Sequence, residues 1–245
     1  MGPVNRIRVP YFIGEPMAGF VVPDPHVTVQ PPLPSGSPQE RMGVLCRTLA
    51  DLVTATDRPV IYAGDCLSSI GVLAGLQRRG AEPSVLWFDA HGDFHTWETT
   101  PSKFLGGMPL AMLVGRGEQS IMVGAGASPI DEARVTLVDA RDLDTTEPVP
   151  ASNVRHVALS GLEPAIPEEG DLYVHVDVDV VDPDEMPAVS YPSPGGPSLA
   201  DVASSLALLG STGRVVAFSL STWNPALPDA DKAEAATEVL VTSIS

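Results

Sequence analysis

Basic side chains are scarce in this chain: 14 lysines and arginines stand against 31 aspartates and glutamates, a net charge of −17 over 245 residues. Nucleic acid and anionic membrane are therefore not expected partners, since both carry the same sign and no local basic run offsets the repulsion. Cysteine is sparser still. The two cysteines, Cys46 and Cys66, give no disulfide framework and suit a reducing compartment, and Cys46 falls within a helical pattern that marks it as core. No apolar stretch approaches the length of a membrane span, and no positively charged start leads into an apolar run, so a cytoplasmic location is expected.

What is present is ample core material. Hydrophobic residues make up 44 % of the chain, enough for a single α/β domain over residues 1–245. After the strand-like Ile7-Arg8-Val9, the stretch from Gly14 to Gly36 is too rich in proline and glycine for regular structure and is expected to wrap the surface or border a site. Ser37-Pro38-Gln39-Glu40 reads as a capping box with proline at the first helical position, and Met42, Leu45, Leu49, Leu52 and Val53 recur on one helical face behind it. A second helix is expected over 69–79, closed by Gly80, with others over 199–209 and 229–241. Strands are expected at 59–63, 84–88, 120–123, 135–138, 156–159, 172–178 and 215–220. Strands that alternate with helices and are apolar on both faces imply a three-layer α/β/α fold with a mostly parallel sheet. The Pro- and Glu-rich 161–170 stretch reads as an acidic surface connection.

Three strand ends carry the chemistry. Asp89-Ala90-His91-Gly92-Asp93 follows the apolar Ser84–Phe88 run, and in extended backbone the side chains at i, i+2 and i+4 project to one side. Asp89, His91 and Asp93 converge if that geometry persists, and Asp177 and Asp179 stand in the same relation. A lone Asp-x-Asp is more often a loop starter or a helix cap. Two such clusters tip the balance, because so many carboxylates on apolar strands without a cation would cost on the order of several kcal/mol per charge. The set suits two divalent cations, Mn²⁺ ahead of a closed thiolate zinc site. On a third strand end, Asp65 and Cys66 follow Pro59–Ala63, where a thiolate could reach one of the metals. In parallel sheets, ligands gather at the carboxyl ends of strands, which is where all three blocks fall. His175 shares strand parity with Asp177 and Asp179 and is expected to be a neutral structural histidine or a donor to a metal ligand.

Ala63-Gly64-Asp65-Cys66-Leu67, Asp89-Ala90-His91-Gly92-Asp93 and the run from His175 to Pro183 resemble, in order, the three signature blocks of the arginase/agmatinase (ureohydrolase) superfamily: Gly-Gly-Asp-His-Ser, Asp-Ala-His-x-Asp and Ser-x-Asp-x-Asp-x-x-Asp-Pro. The likeness continues through Gly106-Gly107-Met108-Pro109, Tyr191–Gly196 and Asn224-Pro225. It implies that Cys66, Asp89, His91, Asp93, Asp177 and Asp179 are the six ligands of a dinuclear Mn²⁺ centre, with either Asp89 and Asp177 or Asp93 and Asp179 bridging. It further implies the chemistry of such a centre: a shared water loses a proton near neutral pH and attacks the carbon of a guanidino or amidino substrate. Asp93 and His95 are the expected catalytic groups. Ureohydrolases are often trimers or hexamers, so a homo-oligomer is among the expectations.

The departures from the family matter equally. Cys66 stands where the first block has histidine, Gly106 where arginases carry a proton-relay histidine, and Thr222 where they carry the glutamate that holds the guanidinium. Without that anionic partner, a strongly basic guanidinium is poorly placed beside two cations. A weakly basic group is the better fit: an N-hydroxyguanidine such as Nω-hydroxyarginine, an isourea, or a formimidoyl compound as in a formimidoylglutamase. At the substrate's other end, Ser102 falls at a carboxylate-holding serine of arginases and Asp144 at an amine-holding aspartate, while His95 replaces an asparagine. His95, Trp97 and Glu98 are placed to rim the pocket. Two rivals remain: a dinuclear phosphoesterase, disfavoured because no histidine follows His175, and a metal-binding relative without catalysis that serves a regulatory or structural role.

Overall fold

The computed structural model describes residues 5–221 and 223–245. The Ser37 capping box forms as its sequence suggests: Ser37 Oγ accepts from the Glu40 amide, and Glu40 Oε2 accepts from the Ser37 amide. Helix α1 (Pro38–Ala55) begins there, buries Met42, Leu45, Leu49 and Val53 on one face and leaves Leu52 half-buried. Ahead of it lie β1 (Arg6–Val9), a short antiparallel pair β2 (Tyr11–Phe12) and β3 (Glu15–Pro16), and β4 (Val27–Thr28). The chain then alternates: β5 (Val60–Ala63), α2 (Ser69–Arg78), β6 (Ser84–Asp89), α3 (Pro109–Leu113), α4 (Ser120–Ala125), β7 (Val135–Asp139), β8 (Arg155–Val157), β9 (Leu172–Asp177), α5 (Leu199–Ser211), β10 (Val215–Ser221) and α6 (Ala230–Ile244).

Eight strands form one sheet in the order β4-β1-β5-β10-β9-β6-β7-β8, with every pairing parallel. The strand residues divide by parity, as a sheet buried on both faces requires. Ile61, Ala63, Val85, Trp87 and Tyr173 pack on one side with α1, α2, α3 and α4. Val60, Tyr62, Leu86, Phe88, Val174 and Val176 pack on the other with α5 and α6. The result is the expected three-layer fold. No helix among the described residues is long and apolar enough to cross a membrane.

The structure corrects one element and trims two. Residues 120–123, expected as a strand, begin helix α4: Ile121, Met122 and Ala125 are buried while Val123 is 75 % exposed, a helical rather than alternating pattern. So short an apolar run does not settle its own period, and Gly126 at φ +74 closes the helix as a left-handed cap. The strand expected at 156–159 ends at Val157, and that expected at 172–178 ends at Asp177.

Helices α1 and α2 approach closely because α2 carries Gly71 and Gly75. A Cβ on Gly75 would lie 2.6 Å from Val53 Cβ and 2.8 Å from the Ala50 carbonyl. Intrinsic propensity favours alanine over glycine in a helix by about 1 kcal/mol, whereas overpacking a filled interface costs about 1–3 kcal/mol. The second effect should win, so Gly75→Ala is expected to lower the urea midpoint. A midpoint unchanged or raised would show that the helices have room to separate.

Candidate metal centre

Each of the three sequence blocks leaves its strand through a turn built by its own aspartate. Asp89 ends β6; its Oδ1 accepts from the His91 amide at 2.7 Å, bending the chain out of the sheet, and its Oδ2 accepts from Trp87 Nε1 at 2.9 Å. Asp93 then sits at φ +50, a left-handed conformation in which aspartate and asparagine are enriched. Asp177 ends β9 and does the same: its Oδ1 accepts from the Asp179 amide at 3.0 Å and opens a 3₁₀ turn over Val178–Val180. The extended geometry expected to align these residues therefore stops at Asp89 and Asp177, and turns bring His91, Asp93 and Asp179 round. Asp179 Oδ1 also accepts from the Ala90 amide at 3.2 Å, tying the two blocks together. After β5, Asp65 caps the 3₁₀ turn Cys66–Ser68 by accepting from the Ser68 amide.

The turns produce two donor clusters. Cys66, Asp89 and Asp177 offer ligand atoms within 4.8 Å of one another, and so do Asp89, His91 and Asp179, with Asp89 common to both. Asp93 faces the same cavity outside these clusters. The cysteine thiol donates to Asp177 Oδ2 at 3.1 Å, and His91 Nδ1 lies 3.1 Å from Asp179 Oδ2 and 3.5 Å from Asp89 Oδ1.

Charge in this cluster is out of balance. Asp89, Asp93, Asp177 and Asp179 are all buried, and His91 is the one basic side chain bonded to them among the described residues. Arg141 stands close but spends its guanidinium on Asp139 and on the carbonyls of Asp179, Val180 and Ser193. Burial, then Asp89 and Asp177, holds Asp93 well above the usual carboxylate range; burial and Asp89 raise Asp179 to about 6. Burial opposes a charge on His91, but its bonds to Asp179 and Asp89 prevail and push its pKa up to about 12. Burial and the surrounding carboxylates likewise raise Cys66. Protons thus fill the role that cations would take, and a divalent ion that displaces them meets two carboxylate-rich donor sets, one completed by a thiol and one by an imidazole. The residues fit a pair of divalent ions.

Behind the cluster, Tyr173 OH lies 2.7 Å from Ser219 Oγ, which is 2.8 Å from His175 Nδ1; His175 Nε2 lies 3.4 Å from Ser221 Oγ, and Ser221 Oγ lies 2.9 Å from Cys66 Sγ. Burial lowers His175 to about 3, leaving it a neutral structural imidazole that packs 3.9 Å from the Trp87 ring.

A cavity of about 180 Å³ opens above the cluster, and His95 and Asp144 line it. His95 Nδ1 is 3.1 Å from Thr99 Oγ1. Asp144 Oδ1 accepts from the Thr146 amide and hydroxyl. Ser102 is exposed, accepts from the Phe104 amide and does not line the cavity. Thr222 lies outside the described residues. Glu98 is exposed, and Trp97 donates to Glu118, so neither rims the cavity as expected. Sequence reasoning missed Glu147, which lines the cavity, accepts from the Phe94 amide at 2.7 Å and is raised by burial to about 7. Its signal was an acid three residues beyond Asp144.

A model of the arginase family matches residues 21–245. The chain is similar to the arginase of Brucella melitensis, 33 % identical over 205 residues that make up 76 % of this chain and 67 % of that protein. It is similar to the arginase of Bacillus subtilis, at 30 % over 201 residues, 76 % and 68 % of the two chains. Among solved structures, the arginase of Bacillus caldovelox superimposes with a TM-score of 0.85 at 22 % identity, over 100 % of this chain and 98 % of that one, a likeness of fold.

An acid whose pKa is raised by folding favours the native state when protonated and disfavours it when ionised, so its charge costs stability above the unfolded pKa. Asp93→Asn removes that charge while tolerating the left-handed backbone. In chelator-treated protein at neutral pH the variant is expected to melt above the parent, and in excess Mn²⁺ below it. The same order of melting temperatures under both conditions would remove Asp93 from the metal centre.

Proposed function

The chain belongs to the arginase family, and from that premise we propose that it is a dinuclear manganese hydrolase that cleaves a C–N bond in a linear, weakly basic amidine such as an N-hydroxyguanidine. The observation that carries this reading is the pair of donor clusters with Asp89 in common, set at the carboxyl ends of parallel strands of one sheet beneath a cavity. Cys66, Asp89 and Asp177, with Asp93 beside them, would hold one ion, and Asp89, His91 and Asp179 the other. When bound, two divalent cations supply Lewis acidity and bring the pKa of water close to neutrality.

The protein's own groups do the rest. The closed β6 and β9 turns fix the carboxylates, and the Trp87–Asp89 bond orients the shared ligand. His95 has Nδ1 engaged by Thr99, which leaves Nε2 to carry a proton to the departing amine. Burial holds its pKa below the ordinary value against the pull of Asp144, so the ring readily gives up a proton that it has taken up earlier in the reaction. Gly106 provides no proton relay from its own position. A substrate whose reacting group is neutral at working pH docks beside cations without a counter-charge, and one with a good leaving group asks less of the missing helper.

Metal content tests the ligand set: Asp89→Ala is expected to lose both ions after dialysis, while Cys66→Ala and His91→Ala each lose one, measured by elemental analysis. Full retention in Asp89→Ala would break the assignment. Turnover tests the chemistry. Mn²⁺-loaded protein is to be offered arginine, Nω-hydroxyarginine, agmatine, guanidinobutyrate and formimidoylglutamate, with urea, hydroxyurea or formamide as readout. Hydroxyurea release faster by about tenfold or more is expected from the hydroxylated compound, a difference of roughly 1.4 kcal/mol in transition-state stabilisation. Arginine hydrolysed equally well would overturn the preference, and no turnover of any amidine would leave a metal-binding protein without catalysis.

A further inference from the structure

Above the metal cluster the cavity wall changes character. Phe12 comes from β2, Phe104 precedes the glycine pair at 106–107, and Tyr191 lies in the loop after β9; all three line the cavity. Phe104 is the middle of the group, 6.3 Å from Phe12 with the rings 27° apart and 5.2 Å from Tyr191 at 47°. Aromatic residues are only 5 % of the chain, so three from distant segments at one cavity mouth is a concentration that packing of the main core does not call for. Tyr191 is 48 % exposed, while Phe12 and Phe104 are half-buried.

The ring of Phe104 also explains Gly106. A Cβ at position 106 would lie 2.4 Å from Phe104 Cε1 and 2.5 Å from its Cζ. The space that a side chain at 106 would enter is occupied by an aromatic face.

Charge sets the second condition. No lysine or arginine lines the cavity among the described residues, and beyond the metal cluster its wall adds Asp65, Asp142, Asp144 and Glu147. A carboxylate on the remote end of a substrate would meet acids and no cationic partner. Ser102, the expected carboxylate holder, stands outside. Two of the acids are already engaged, Asp144 Oδ1 by Thr146 and Glu147 Oε1 by Phe94. The apolar part of the wall open to a ligand is the aromatic surface, with His95, Ser190 and Asp142 as its polar neighbours.

We infer that the substrate is an amidine whose remote end is an apolar, planar group without a carboxylate, held against Phe104 and Tyr191. This rests on the amidine-hydrolase reading and keeps its reacting group, but replaces the amino-acid tail of Nω-hydroxyarginine with a group that stacks.

Binding to the Mn²⁺-loaded protein tests it, with N-benzyl-N′-hydroxyguanidine and 4-(N′-hydroxyguanidino)butyrate as matched probes in isothermal titration calorimetry. The benzyl compound is expected to bind tighter by about tenfold, and Phe104→Ala and Tyr191→Ala each to erase roughly fivefold of that preference, the size of one aromatic contact. Should Phe104→Ala fail to fold, the exposed Tyr191 decides. Equal or tighter binding of the butyrate overturns the inference, as does a benzyl preference that survives the substitutions. Binding is read without turnover: the expected preference with no hydroxyurea released would refute hydrolysis alone, whereas faster hydrolysis of the butyrate would refute this inference and leave hydrolysis standing.

Discussion

Four carboxylates share a pocket from which water is largely excluded, and the architecture around that pocket follows from having to hold them there. Taking one such charge out of water costs on the order of several kcal/mol, and mutual repulsion adds to it. The structure meets part of the cost with directed hydrogen bonds: the amides of Ala90, His91 and Asp179 and the indole of Trp87 each serve a carboxylate. His91 and the raised pKa values of Asp93 and Asp179 account for more. A parallel sheet is well suited to this task, because its strands deliver their carboxyl ends to one edge and the residue after each strand is free to turn.

That division of labour explains what could be read in the sequence. The strands that carry the site are largely apolar runs that end in or lead into an aspartate, and the helix after Ser37 announces itself through its cap. Asp89, His91, Asp177, Asp179 and Cys66 were legible for the same reason: their order and spacing survive even though the backbone path differs from the extended one first supposed. What was not legible is what depends on distant segments. Phe12 meets Phe104 across more than ninety residues of sequence, and no local pattern marks either as a cavity wall. Glu147 lies in a run of turn-forming residues and is buried only because Gly92 leaves room for it: a Cβ there would lie 2.5 Å from Glu147 Oε1. The short apolar segment at 120–123 failed for the opposite reason, having too little length for its period to speak.

Two departures from the family's signature turn out to be neighbours. Cys66 stands where the first block has histidine, and His175 where the third block has serine. In the structure a serine hydroxyl joins them: Ser221 Oγ lies 2.9 Å from the Cys66 sulfur and 3.4 Å from His175 Nε2. The imidazole of His175 lies behind the cavity in the sheet, where it packs on Trp87 and is held neutral by burial. The cysteine stands in front of the ring, and the ring packs on the indole that bonds to Asp89.

The same logic bears on whether the missing helpers mean decay. A centre kept only to brace a fold is expected to close over its metal, as structural sites with a full set of protein ligands do. Here the donor clusters open into a cavity, with His95 on its wall and a left-handed aspartate at its floor. Loss of a side chain by drift would leave a void beside Gly106. Instead the ring of Phe104 lies against that glycine, so that a methyl group there would require the ring to move, and the ring's other neighbours are two further aromatics. An open cavity with an aromatic wall is more than bracing a fold requires, which is why the hydrolase reading is preferred to a purely structural one.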